Sequence, residues 1–115
     1  MSYAVACHVD QLVDDEPLVV IINGVGIALV QTGGEIFAIQ NLCSHAAEQL
    51  AEGEVSEHSI ECPRHGSRFD LRGGCPLDLP ATEPVPVFPV RVEGDEVLVD
   101  ISNSLDPQCN DLQES

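Results

Sequence analysis

The chain has 115 residues, 43% of them apolar, with three Phe, one Tyr and no Trp. This suits one compact domain whose core rests on Val, Ile and Leu, residues that favour strands. Twenty acidic against four basic residues give a formal charge of −16, a surface that repels phosphate backbones and anionic lipid heads and so argues against nucleic-acid and membrane partners.

From the N-terminus, Met1 to His8 lack the basic start and apolar run of a secretion signal. Leu18–Ile22 is a short apolar run ended by Asn23-Gly24, a strong turn signal and far too short to span a bilayer. Ile27–Val30 and Glu35–Ile39 flank Gly33-Gly34 and predict a hairpin. Val90–Glu93 and Glu96–Val99, around Gly94-Asp95, alternate nearly strictly and predict another. Between these strands, residues 41–80 are rich in Cys, His, Gly and Pro, with a helical turn or two expected in Ala46–Glu52 before Gly53. Pro76, Pro80, Pro84, Pro86 and Pro89 exclude helix from most of the remaining chain and limit Val85–Val87 to an edge strand. The expected architecture is all-β: an antiparallel, sandwich-like base over residues 1–101, a loop-rich inserted subdomain at about 41–80, and a poorly ordered acidic tail at 102–115.

The chemistry concentrates in the insertion. Cys43-Ser44-His45 and Cys62-Pro63-Arg64-His65 are two short-spaced pairs with sixteen residues between them. Two ligands from each of two loops can converge on one metal centre; Ile60-Glu61 reads as the end of a strand delivering Cys62 to a loop tip, and Gly66 allows a tight turn beside it. On ligand type alone a tetrahedral structural zinc and a two-iron cluster both remain open. Zinc sites usually pair like with like, whereas each pair here mixes a thiolate with an imidazole, as a cluster with unequal irons requires. Five cysteines without an export signal predict cytosolic thiols, some metal-bound. Cys7, Cys75 and Cys109 are expected as free thiols, and His8 and His58 as surface residues.

These two pairs, continued by Gly66-Ser67-Arg68-Phe69-Asp70, closely resemble the Rieske signature, and the flanking hairpins and proline-rich segment fall in that family's order. The resemblance implies the Rieske iron–sulfur fold with one 2Fe-2S cluster. Cys43 and Cys62 would bind one iron, and His45 and His65 the other, where the added electron localises. Within the family the chain is most similar to stand-alone ferredoxins of bacterial aromatic-ring dioxygenases, including those acting on carbazole-like and biphenyl-like substrates. That implies a cytoplasmic, monomeric one-electron carrier, not an enzyme in itself, between an NAD(P)H-dependent ferredoxin reductase and a terminal oxygenase in aromatic hydrocarbon catabolism. The alternatives are a small accessory subunit of a nitrite reductase, or a zinc-stabilised interaction module.

Glu48 and Arg64 stand where membrane-complex Rieske proteins carry two disulfide-linked cysteines, so that bridge is not expected. Phe69 replaces a Tyr whose hydroxyl bonds a ligand sulfur, while Ser67 matches a Ser that bonds a bridging sulfide. The reduction potential is therefore expected toward the lower end of the family's range of about −150 to +300 mV. Arg64, Arg68 and Arg72 flank the second pair; Arg64 and Arg68 are candidates for offsetting the charge added on reduction or for orienting a partner, and Glu48 and Glu52 for partner docking.

Overall fold

Ile27-Ala28-Leu29-Val30 shows no polar alternation, and the computed structural model gives the reason: all four are fully buried in a sheet covered on both faces. The structure describes residues 3–42, 49–56, 58–63, 68–77 and 85–102. The run belongs to β3 (Val25–Thr32), which follows β1 (Ala4–His8) and β2 (Leu18–Ile22). With β4 (Glu35–Gln40) and, further along the chain, Val87–Phe88, strands β2 and β3 make a four-stranded antiparallel sheet. The connecting turns fall where expected. Asn23 (φ 51°) and Gly24 (φ 81°) both adopt the left-handed backbone that a two-residue hairpin turn demands.

Successive side chains of a strand point to opposite faces, and the core divides accordingly. Ile27, Leu29 and Ala38 face one way and pack with Cys7, Val97 and Val99. Ala28, Val30 and Ile39 face the other way and pack with Leu50, Ile60 and Phe69. The first cluster closes the base. There β1 pairs with Glu96–Val99, which pairs in turn with Val90–Glu93, giving a three-stranded sheet over the central one. The second cluster mounts the insertion.

That insertion is more regular than its composition suggests. Val55–Ser56 (β5), Ser59–Glu61 (β6) and Arg68–Asp70 (β7) form their own three-stranded antiparallel sheet. Ile60-Glu61 ends a strand that leads to Cys62, as expected; elsewhere strands of two or three residues are too short to leave a periodic signature, which is why the rest of the insertion reads as loop. The proline-rich segment supplies β8 (Val87–Phe88), an edge strand as expected but displaced from Val85–Val87, because Pro86 and Pro89 bracket the only two residues between them able to donate to a ladder. The hairpin strands are then β9 (Val90–Glu93) and β10 (Glu96–Val99). Strand β1 has no counterpart among the sequence expectations. Its Ala4-Val5-Ala6-Cys7-His8 sequence has one β-branched residue, and its pairing to β10 is a long-range contact that local pattern cannot reveal.

Helical structure among the described residues is confined to two 3₁₀ turns, Val9–Gln11 and Leu50–Glu52. The second is the end of the expected Ala46–Glu52 turn, and Gly53 follows it as expected, but Gln49 is extended; residues 46–48 and the 103–115 segment lie outside the described residues. Among those described, no helix is long and apolar enough to cross a membrane.

Candidate metal centre

Cys62 owes its position to strand periodicity. Ile60 in β6 points inward and is fully buried, Glu61 points outward, and Cys62, two residues on from Ile60, is again fully buried. Its thiol is free. Pairing of Glu61 with Arg68 closes the hairpin from which the second ligand loop leaves. Of the four candidate ligands only Cys62 is described; Cys43, His45 and His65 lie outside the described residues, as do Glu48, Arg64, Gly66 and Ser67. Accordingly no group of three or more potential ligands occurs among the described residues.

The bases of both loops are described, and they are fastened together. Asn41, just past β4 and mostly buried, clasps the first. Its Nδ2 donates to Gln49 Oε1 (3.0 Å), and its Oδ1 accepts the Ala51 N–H (2.7 Å), so one side chain ties the two ends of the segment carrying Cys43 and His45. Leu50 follows and is buried in the same cluster as Ile60, Cys62 and Phe69. At Gly53 the exit of the first loop meets the entry of the second. The Glu61 N–H donates to Glu54 O (2.8 Å), and a Cβ on Gly53 would collide with the Glu61 carbonyl oxygen. Both loops therefore rise from one platform, which can present donors from each to a common point.

Sequence reasoning missed Asn41. The available signal was a short amide side chain two residues ahead of Cys43, a type that often bonds nearby backbone groups. Replacing Asn41 with Ala removes both hydrogen bonds and leaves the Ala51 N–H without its partner, a loss of about 1–3 kcal/mol. The expected outcome is a lower thermal midpoint and faster loss of bound metal to a chelator, with Asn41→Asp intermediate because it retains the acceptor.

His58, expected on the surface, is instead half-buried. Its ring stands edge-on to Phe37 (centroids 5.9 Å apart), its Nε2 lies 3.7 Å from Glu35 Oε1, and its carbonyl accepts the Leu71 N–H (2.9 Å). It thereby pins the inserted sheet onto the β3–β4 hairpin, over Gly33, where a Cβ would crowd the imidazole. His8 is exposed, as expected.

The remaining cysteines divide. Cys7 is a free, buried thiol in the base, and burial, aided by the Asp10 carboxylate, pushes its pKa up, which suits an inert core residue. Cys75 is buried and disulfide-bonded, with a partner outside the described residues, which corrects the expectation of a free thiol. Its segment runs back along β7 through Asp70 N–H to Cys75 O (2.8 Å) and Leu77 N–H to Arg68 O (2.7 Å). Cys109 lies outside the described residues. Among charged groups, Glu52, Glu54 and Glu61 surround a shallow cleft that ends at Pro63, beside the second loop; Arg68, the direct cross-strand neighbour of Glu61, and Arg72 are exposed.

A family model described as the Rieske [2Fe-2S] domain matches residues 2–89. The anthranilate 1,2-dioxygenase ferredoxin subunit of Burkholderia cepacia is 39% identical over 93 residues, covering 81% of this chain and 86% of that protein. The solved ferredoxin of carbazole 1,9a-dioxygenase from Nocardioides aromaticivorans IC177 superposes with a TM-score of 0.82 at 35% identity, over 94% of this chain and all of that one. A chain in a solved complex of reduced oxygenase and oxidized ferredoxin in carbazole 1,9a-dioxygenase superposes with a TM-score of 0.80 at 28% identity, over 92% and 95% of the two chains.

Proposed function

The chain belongs to the Rieske [2Fe-2S] family, among the ferredoxin components of aromatic-ring dioxygenase systems, and we propose that it carries single electrons from an NAD(P)H-dependent ferredoxin reductase to a terminal oxygenase. The observation that carries this reading is the shared platform at Gly53 and Glu61, with the free, buried Cys62 thiol at its centre. A donor set of two thiolates and two imidazoles fits a Rieske cluster, with Cys43 and Cys62 holding one iron and His45 and His65 the other. A bound cluster supplies a one-electron couple.

The chain's own residues set the terms of that couple. Cys62 enters from the apolar cluster of Leu50, Ile60 and Phe69, which keeps water from one side of the site. Neutral His45 and His65 in place of two thiolates leave the site less negative, so adding an electron costs less electrostatic work. Phe69, fully buried, offers no hydroxyl to a ligand sulfur, which keeps the potential toward the lower end of about −150 to +300 mV. Residues 41–80 act as the cluster-binding subdomain on a 1–101 domain. The carboxylates of Glu52, Glu54 and Glu61 beside the second loop suit docking on a basic patch of reductase or oxygenase.

The visible and electron-spin-resonance spectra of aerobically purified protein test this. A reddish-brown protein whose reduced form has a low average g-value is expected. A colourless protein holding one zinc per chain overturns the reading.

A further inference from the structure

Every sheet in this protein has two edges, and five of the six edges among the described residues carry a device that discourages pairing with another chain. Strand β1 is bulged between Val5 and Cys7. Strands β5 and β8 have only two residues each. Strand β7 has three, including Arg68 and Asp70, and β9 alternates Val with Arg91 and Glu93. The sixth edge, β2, has none of these. Leu18-Val19-Val20-Ile21-Ile22 is five residues long, unbroken in register, free of charge and free of proline.

Two further features mark this edge. Val19 and Ile21 share the face that carries Ala28 and Ile39, but they stand beyond the cover of the inserted sheet; Ile21 is 72% exposed, the most exposed large apolar side chain among the described residues. Residues 17–34, which contain all of β2 and β3, include no ionisable group, although the chain as a whole carries twenty acids. It is a neutral, apolar window in an acidic body.

We propose that this window binds a second copy of the chain, β2 against β2 in antiparallel register about Val20. A two-fold axis there gives a self-complementary contact. Val19 of one protomer lies beside Ile21 of the other, and Leu18 beside Ile22, so β-branched and aliphatic side chains meet across the seam on both faces. Pro17 of each protomer then falls opposite Asn23 of the other, where the uncharged Asn23-Gly24 turn ends β2, so the acidic runs Asp14-Asp15-Glu16 of the two protomers lie at opposite ends of the seam and do not meet. A second copy fits better than a basic partner, because the window offers such a partner no carboxylate. The arrangement replaces the expected monomer with a reversible dimer joined at β2.

Its salt dependence sets this contact apart from docking on a basic partner. Two bodies of charge −16 repel, and salt screens that repulsion, so the dimer strengthens as salt rises while charge-steered docking weakens. Sedimentation equilibrium of the metal-loaded protein under thiol reductant, at about 0.05 and about 0.5 M salt, reads this directly. The expected result is a monomer–dimer equilibrium that tightens at high salt, with the β2 amides gaining hydrogen-exchange protection in the dimer. Ile21→Glu and Val19→Glu should each weaken it about tenfold or more, by placing a charge in the seam. Val92→Glu, at a comparably exposed position on the charged β9 edge, should leave it unchanged, and unaltered visible spectra would confirm that each variant is folded. A protein that stays monomeric at high salt overturns the proposal, as does a dimer that Ile21→Glu and Val92→Glu affect equally.

Discussion

A Cys62→Ser chain is expected to lose nearly all of its bound iron and the visible absorption that goes with it, while remaining folded. Cys62 is fully buried at the junction of the two ligand loops, and a serine hydroxyl there is neither ionised at neutral pH nor a soft donor suited to iron. The substitution also puts a hydroxyl into an apolar cluster, which costs about 1–3 kcal/mol unless it finds a partner. Cys62→Ala separates the two effects, since it removes the ligand without adding a polar group. Both variants should be colourless, with the alanine form the more stable to denaturant. Cys7→Ser supplies the contrast. It is equally a buried, free thiol, but it packs on the opposite face of the central sheet with Val97 and Val99. It should lose stability and keep its iron. Full iron content and an unchanged spectrum in Cys62→Ser would remove Cys62 from the ligand set.

The contrast between these two cysteines shows how far the sequence could be read. The hairpins at Asn23-Gly24, Gly33-Gly34 and Gly94-Asp95 were legible because turn chemistry and alternation are local. The two Cys/His pairs stand out in the sequence because their spacing is local too; of their four residues only Cys62 is among those described, and it is buried at the base of its loop. Which cysteine belongs to which layer was not legible. That depends on the parity of each strand against a sheet two neighbours away, as in the split of Ile27 and Leu29 from Ala28 and Val30. Of the inserted sheet only the end of β6, at Ile60-Glu61, was legible, for a related reason. Its strands are held less by their own pattern than by Leu50, Ile60 and Phe69 packing on Ile39, and by His58 bridging to Phe37. A histidine with no spaced partner reads as a surface residue until the hairpin beneath it is known.

The platform itself yields the second large expected effect, in Gly53→Ala. The backbone there is extended (φ −90°, ψ −167°), which any residue adopts, so the change introduces no conformational strain of its own. It introduces a contact, because the new Cβ lands on the carbonyl oxygen of Glu61, a backbone atom that cannot swing aside as a side chain would. Relief requires the two loop bases to separate, which stretches the 2.8 Å bond from Glu61 N–H to Glu54 O and carries Cys62, the next residue, with it. Overpacking of this kind costs about 1–3 kcal/mol, and here the displacement falls on a proposed ligand. Iron content should drop sharply, and whatever cluster remains should show a shifted potential. Gly94→Ala is the matched control. It forces a side chain into a left-handed position (φ 61°) in the β9–β10 turn, with nothing within 4 Å to strike, at a cost of about 1–2 kcal/mol. It should lower the thermal midpoint comparably and leave iron binding intact. Equal iron loss in the two variants would mean that general destabilisation governs the site. Loss in Gly53→Ala alone would mean that the spacing between the two loop bases does, because that spacing is the one thing the first substitution changes and the second does not.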